Sequence, residues 1–199
     1  MNHVNEINIV NTLNYWFEKS ILKNDLVYNF DLNKIALQNF ELDYRRYFPE
    51  AKLIEIEKLE SRLELVGILL YRLARTYYLE NSINEAEKFS LLGRFLAGFE
   101  IYYSAEIGHS LKINHGLGTV IGARVKIGNN ALIHQGVTFG DKNGKRPVIK
   151  NNVCIYAGAK IIGEIIIDDN SIIGANCVCM INVPKNSIIA GVPGKIIKK

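Results

Sequence analysis

Four histidines and three cysteines are the side chains of this 199-residue sequence best suited to move a proton, hold a metal or attack an electrophile. The thiols are the weaker candidates. Cys154, Cys177 and Cys179 are odd in number and lack the paired CxxC spacing of a zinc site, so they read as reduced. A His-x-x-x-x-His pair is also missing, and no metal site is expected. Proton transfer remains, and imidazole suits it because an ordinary pKa near 6.5 leaves the neutral form free to accept a proton at physiological pH. His115 lies within Ile113-Asn114-His115-Gly116-Leu117-Gly118, and His134 within Ile133-His134-Gln135-Gly136-Val137-Thr138. Taken alone, each reads more readily as a surface or loop-bonding residue than as a catalytic one, and His3 and His109 read as structural or solvated. The elements that carry them must decide.

Those elements follow a six-residue beat from about residue 105 onward. Ile107, Ile113, Ile121, Ile127, Ile133, Phe139, Ile149, Ile155, Ile161, Ile167, Ile173, Cys179 and Ile189 recur at steps of six with a few larger intervals. That spacing cannot line one face of an α-helix and is too regular for a meander. Four positions after most anchors comes a second apolar or small residue, as in Val125, Ala131, Val137, Val153, Ala159 and Cys177, so both positions point inward. Gly, Asn and Asp follow the anchors and tolerate tight or left-handed corners. Three strand-and-corner units close one triangular turn, and stacked turns make a parallel β-helix. The beat slips by two residues between Ile113 and Ile121, where His115 sits, and by four between Phe139 and Ile149. The second slip should extrude residues 140–147 as a polar loop, and loops leaving a rigid scaffold commonly carry function. His134 projects outward from its strand.

Residues 1–98 read as an α-helical domain, with helical periodicity over Glu6 to Lys19, Ile54 to Glu80 and Ile83 to Phe99 and turn signals at Lys23-Asn24-Asp25 and Phe48-Pro49. Leu65, Ile68, Leu69, Leu73 and Tyr77 form one apolar stripe, with Arg72 on the same face and Arg75 at its edge as paired or snorkelling charges. No linker separates this part from residues 99–199, so the helices should cap the open end of the β-helix. The fold class is therefore α+β, an N-terminal α-helical domain followed by a parallel β-helix. The net charge of +4 is mild and spread out, which argues against nucleic acid. No apolar run is long enough to span a bilayer, and the first residues lack a basic leader, so a cytoplasmic protein is expected.

The beat resembles the hexapeptide repeat of the left-handed β-helix acyltransferases, and only that resemblance supplies the handedness. Asn114-His115-Gly116 followed by Gly118-Thr119-Val120-Ile121-Gly122 resembles the Asp-His-x-x-Gly-x-Val-Ile-Gly signature of the serine acetyltransferase branch. The resemblance implies that His115 is the general base for a hydroxyl attacking a thioester. It also implies that Glu100, fifteen residues upstream, orients the imidazole and stabilises its cation. Acetyl-CoA is the implied donor, lying in a groove between subunits of a homotrimer, with the helical caps leaving a dimer of trimers open. Ala157-Gly158-Ala159-Lys160 and Gly174-Ala175 match the family's small-residue donor positions, and Ala190-Gly191-Val192-Pro193-Gly194-Lys195 resembles its closing motif. Gly140, Ala157, Gly158, Ala175, Lys160 and Lys195 are the implied donor contacts.

The departures fall on the acceptor. Asn114 stands where the branch carries Asp, Arg146 stands where a serine-binding His is expected, and a family Asp-Pro-Ala aligns with Phe48-Pro49-Glu50. Losing a carboxylate beside an ammonium disfavours free serine. Asn114, Arg146, Lys145 and His134, with Tyr102 and Tyr103 nearby, are expected to receive a hydroxyl of a sugar or glycan. A serine O-acetyltransferase is the alternative, and a non-catalytic assembly module the remote one. The chain stops at Lys199 without the longer tail that docks cysteine synthase, so no such complex is expected.

Overall fold

The computed structural model describes residues 3–19 and 29–198. The turn expected at Lys23-Asn24-Asp25 lies outside the described residues. Helices α1 (His3–Lys19), α2 (Phe30–Tyr47), α3 (Ile56–Glu60), α4 (Leu63–Leu79) and α5 (Ile83–Ala97) precede the strands. Asn29 caps α2 by accepting from the Leu32 amide at 3.2 Å, and the helix stops before Phe48-Pro49. The stretch from Ile54 to Glu80 is two helices rather than one. Ser61 turns its hydroxyl back to the Lys58 carbonyl at 2.9 Å, and Arg62, in extended conformation, opens α4. The expected stripe holds, with Leu65, Ile68, Leu69, Leu73 and Tyr77 all buried.

Gly98, at φ +68°, ends α5 in the left-handed conformation that lets the chain turn directly into the coil. The coil has three faces. The first stacks β1 (Glu100–Ile101), β4 (Val120–Ile121), β7 (Thr138–Gly140), β10 (Lys160–Ile162) and β13 (Val178–Cys179). The second stacks β2 (Glu106–Ile107), β5 (Lys126–Ile127), β8 (Val148–Ile149) and β11 (Ile166–Ile167). The third stacks β3 (Lys112–Asn114), β6 (Leu132–His134), β9 (Cys154–Ile155), β12 (Ile172–Ile173) and β14 (Ile188–Ala190). Pairing is parallel and in register, anchor over anchor, as in Ile113 beside Ile133 and Ile133 beside Ile155. Each of the thirteen anchors is buried, and so are the residues four positions after most of them, Leu111, Val125, Ala131, Val137, Val153, Ala159, Ile165, Ser171, Cys177 and Val183. The exceptions, Leu117, Asn143 and Pro193, fall where the beat is interrupted and are exposed. Every such aliphatic contributes about 1.5–3 kcal/mol by leaving water. The coil is left-handed, opposite to the usual crossover rule. At its far end β15 (Lys195–Lys198) folds back antiparallel on β14, so Lys195 belongs to a strand.

The helices close the near end through side chains. Arg72, in bidentate contact with Asp43 at 2.7 and 3.0 Å, donates to the carbonyls of Ile107 and Gly108 at 2.7 and 2.6 Å. Asp43 also accepts from the Leu111 amide at 2.7 Å. Tyr71 donates to the Ala105 carbonyl at 2.9 Å, and Arg46 donates to the carbonyls of Ser110 and Ala131. The first coil would otherwise present a row of unpaired peptide groups, which invites foreign strands and is costly to bury. Arg75 sits over the Tyr78 ring at 5.4 Å.

Candidate active site

His115 closes the third face and begins the corner that leads to the first. Its φ of +63° is the left-handed conformation that Asn takes at the corner between the second and third faces, as at Asn130 and Asn152 with +58° and +57°. The two-residue slip builds this corner: Gly116 tucks inward against Phe99, the Leu117 amide reaches the His115 carbonyl, and Gly118 donates to Gly98 at 2.9 Å. The imidazole is left exposed at the rim.

The same edge continues up the molecule. Gly136 donates to Leu117, Gly158 to Gln135 and Asn176 to Ala157, at 2.9, 2.9 and 2.8 Å. Ala157, Gly158 and Ala175 thus stack in line above His115 as a low ridge of backbone and small side chains. Gly158, at φ +73°, has no room for more, since a Cβ there would stand 2.1 Å from the Asn176 Oδ1. On the third face Asn114 is the in-register neighbour of His134, and the His134 ring stacks on Tyr156 with centroids 5.0 Å apart. Burial, and secondarily the charge of His115, hold His134 below the ordinary imidazole range. The two histidines therefore sense one another across neighbouring coils.

Glu100 opens the first face just past the edge that His115 closes. Its carboxylate takes Arg94 Nη1 at 3.2 Å, and it lines a cavity of about 260 Å³ with Glu87, Ser90, Leu91, Tyr102 and Tyr103. His115 lines a different one, of about 150 Å³, with Tyr47, Arg62, Glu64, Lys112, Ile113 and Asn114. The two expected partners share an edge, and within one chain each lines its own cavity.

The extruded segment is a tight hairpin. Asn143 and Gly144, at φ +55° and +77°, form its tip, Lys142 bridges Lys145, and Asp141 accepts from the Gly144 amide at 2.9 Å. Arg146 pairs with Asp141 at 2.8 Å and donates to the Ala123 carbonyl at 3.0 Å, and Lys145 pairs with Glu164. The hairpin leaves from the corner between first and second faces, so these two cations and Gly140 stand away from the His115 edge. Lys160 donates to the Gly136 carbonyl at 2.6 Å and to Thr138 Oγ1 at 3.0 Å. Lys195 is exposed on β15.

No family model matches the chain. A serine acetyltransferase of Staphylococcus aureus (strain MSSA476) is 38% identical over 171 residues, 83% of this chain and 80% of the relative. The chain belongs to the serine acetyltransferase family. A Staphylococcus xylosus serine acetyltransferase is 40% identical over 148 residues, 72% of this chain and 68% of the relative. Solved serine acetyltransferases share the fold: that of Brucella abortus strain S19 gives a TM-score of 0.77 at 28% identity, over 85% of this chain and 73% of its own. That of Neisseria gonorrhoeae in complex with serine gives 0.73 at 28% identity, over 84% and 74%.

As a member of the serine acetyltransferase family the protein is an acyltransferase. The expectation of a sugar or glycan hydroxyl is overturned by these relatives. The structure supplies a reason as well. Tyr102 and Tyr103, expected to stack on a sugar, pack against each other in a tilted pair with centroids 4.4 Å apart, and Tyr103 also packs on Tyr78 of the cap at 5.2 Å. Sequence reasoning missed Tyr47, Arg62, Glu64 and Lys112 around His115. Lys112 was within reach, because it alternates with Asn114 on one strand and so shares its outward side; Arg62 and Glu64 carry no comparable signal.

Among the described residues no group of His, Cys, Asp or Glu is arranged to hold a metal ion, and no helix is long and apolar enough to cross a membrane.

Proposed function

We propose that the protein is a serine O-acetyltransferase that moves the acetyl group of acetyl-CoA to the hydroxyl of L-serine. The observation that carries this reading is an exposed imidazole, His115, at the foot of a small-residue ridge in a chain of the serine acetyltransferase family. His115 takes the proton from the serine hydroxyl as that oxygen attacks the thioester carbonyl, and returns it to the sulfur of CoA as the carbon–sulfur bond breaks. Glu100, freed from Arg94, steadies the imidazolium from the same edge. General-base help of this kind accounts for about 10²- to 10⁴-fold in rate.

The ridge of Gly136, Ala157, Gly158 and Ala175 admits the donor's pantetheine arm against backbone, ending toward Lys195. The protein works as a homotrimer, because Gly140, Lys145 and Arg146 stand on a different corner from His115. A neighbouring copy brings its hairpin to the seam that one chain leaves incomplete. Lys160, with two of its donors engaged, shapes the ridge rather than meeting phosphate.

Incubation of the purified protein with acetyl-CoA and L-serine tests the reading. Release of CoA thiol together with O-acetylserine, seen by mass spectrometry, is the expected result. CoA binding with no serine-dependent thiol release would overturn it.

A further inference from the structure

Arg62 and Glu64 belong neither to the repeat nor to the His115–Glu100 pair, yet both line the cavity that holds His115. They leave the same helix start, Arg62 as the residue before α4 and Glu64 in its first turn. Neither makes an ion pair or a side-chain hydrogen bond among the described residues. Arg62 lies over the Phe48 ring at 5.6 Å, and Lys112 lies over the Tyr47 ring at 5.1 Å, which brings a second cation to the same wall. Burial pushes the Tyr47 hydroxyl far above the ordinary tyrosine range, with Glu64 adding to the rise and Arg62 opposing it, so both charges are felt at that hydroxyl.

The cavity therefore presents one carboxylate, two cations, an amide and an imidazole. That set complements a free hydroxy amino acid: ammonium to carboxylate, carboxylate to cation, hydroxyl to imidazole. It also answers the loss of charge at Asn114. Phe48 has no carboxylate to offer, and Glu50 lines a separate cavity with Lys52, Leu53 and Lys58.

We infer that Glu64 and Arg62 are the specificity residues for the amino-acid acceptor, Glu64 pairing with its ammonium in place of the charge Asn114 lacks, and Arg62 with its carboxylate. The inference rests on the serine reading and names the groups that enforce it. A hydrogen-bonded charge pair in a partly desolvated pocket is worth tenfold or more in affinity, and removing one partner forfeits it.

The test is steady-state kinetics of Glu64→Gln and Arg62→Gln. Glu64→Gln raises KM for L-serine at least tenfold and leaves KM for acetyl-CoA within twofold. It leaves 3-hydroxypropanoate, which lacks the ammonium, within twofold as a competing ligand, and adding Asn114→Asp to it recovers at least threefold of the loss. Arg62→Gln raises KM for L-serine but not for L-serinamide, which lacks the carboxylate. Circular dichroism melts matching the wild type show that the variants fold. Wild-type turnover of serine with KM unmoved in Glu64→Gln, or with serine and 3-hydroxypropanoate weakened alike, overturns the inference and leaves the serine reading standing. A wild type that binds CoA and does not acetylate serine removes the reading itself.

Discussion

The Tyr47 hydroxyl satisfies both peptide groups of Ile113, donating to its carbonyl at 2.7 Å and accepting from its amide at 2.8 Å. One side chain of the helical cap thus replaces the missing strand below β3, two residues before His115. Tyr47→Phe leaves both groups unpaired in a half-buried place, at a cost of about 1–3 kcal/mol. It also loosens the corner, and small misplacements of a catalytic group cost up to about 10²-fold in rate. A lowered thermal midpoint together with a lowered kcat is expected; a change in stability alone would restrict Tyr47 to holding the fold.

His115 has to be probed with its backbone in mind. His and Asn enter the left-handed region more readily than Ala, so Ala at φ +63° adds backbone strain to whatever chemistry is lost, whereas Asn adopts this conformation at other corners of the coil. His115→Asn should lower kcat by about 10²- to 10⁴-fold with the thermal midpoint close to wild type. His115→Ala should show the same loss of rate on a less stable protein. Calorimetry and initial rates on both variants separate the two effects.

His134 ties stability to pH. Its folded pKa lies below the unfolded value, which is near 6.5, so between the two the unfolded chain binds more protons. Stability contributed by the neutral ring is complete above about pH 6.5 and is lost as pH falls through that window. Urea midpoints of wild type and His134→Asn, taken across about pH 5 to 8, should converge at the acid end and separate at the neutral end. Parallel curves would show that this ring does not titrate differently on folding.

The corner between the second and third faces carries a ladder of amides. Asn130 donates to Asn152, Asn152 to Asn170 and Asn170 to Asn186, each at 3.0 Å, and all four have φ between +57° and +60°. Asn152→Ala breaks two rungs and strains the backbone, for a loss of about 2 kcal/mol. Asn152→Gly breaks the same rungs without the strain and should lose less. Thermal midpoints in the order wild type, Gly, Ala check this; a reversed order for Gly and Ala would mean that the unfolded-state entropy of Gly outweighs the strain.

Much of the architecture was legible because it depends on a period. An aliphatic at every sixth position has one way to leave water, and Ile107 through Ile189 all take it. The slip at His115 and the hairpin after Gly140 were legible for the same reason, as interruptions of that period. Helix boundaries were less so: the break at Ser61-Arg62 depends on a hydroxyl choosing the Lys58 carbonyl, which no periodicity records.

The acceptor shows where local reading failed. Asn114 in place of Asp suggested that an ammonium had lost its partner, and Tyr102-Tyr103 suggested a sugar platform. Both inferences treated neighbours in sequence as the whole pocket. The three-dimensional pocket beside His115 draws Tyr47, Arg62 and Glu64 from the helical cap, and it sends Tyr102 and Tyr103 to a different cavity.

By itself the sequence determined the repeating coil, the corner that exposes His115 and the run of small residues above it, since these follow from side-chain volume and backbone freedom at fixed spacing. The tertiary structure alone decided which charges meet at that histidine, because they are brought together by the docking of α2 and α4 on the first coil. Arg72 and Asp43 secure that docking through contacts 29 residues apart in the chain, a distance over which residue spacing carries no geometric information.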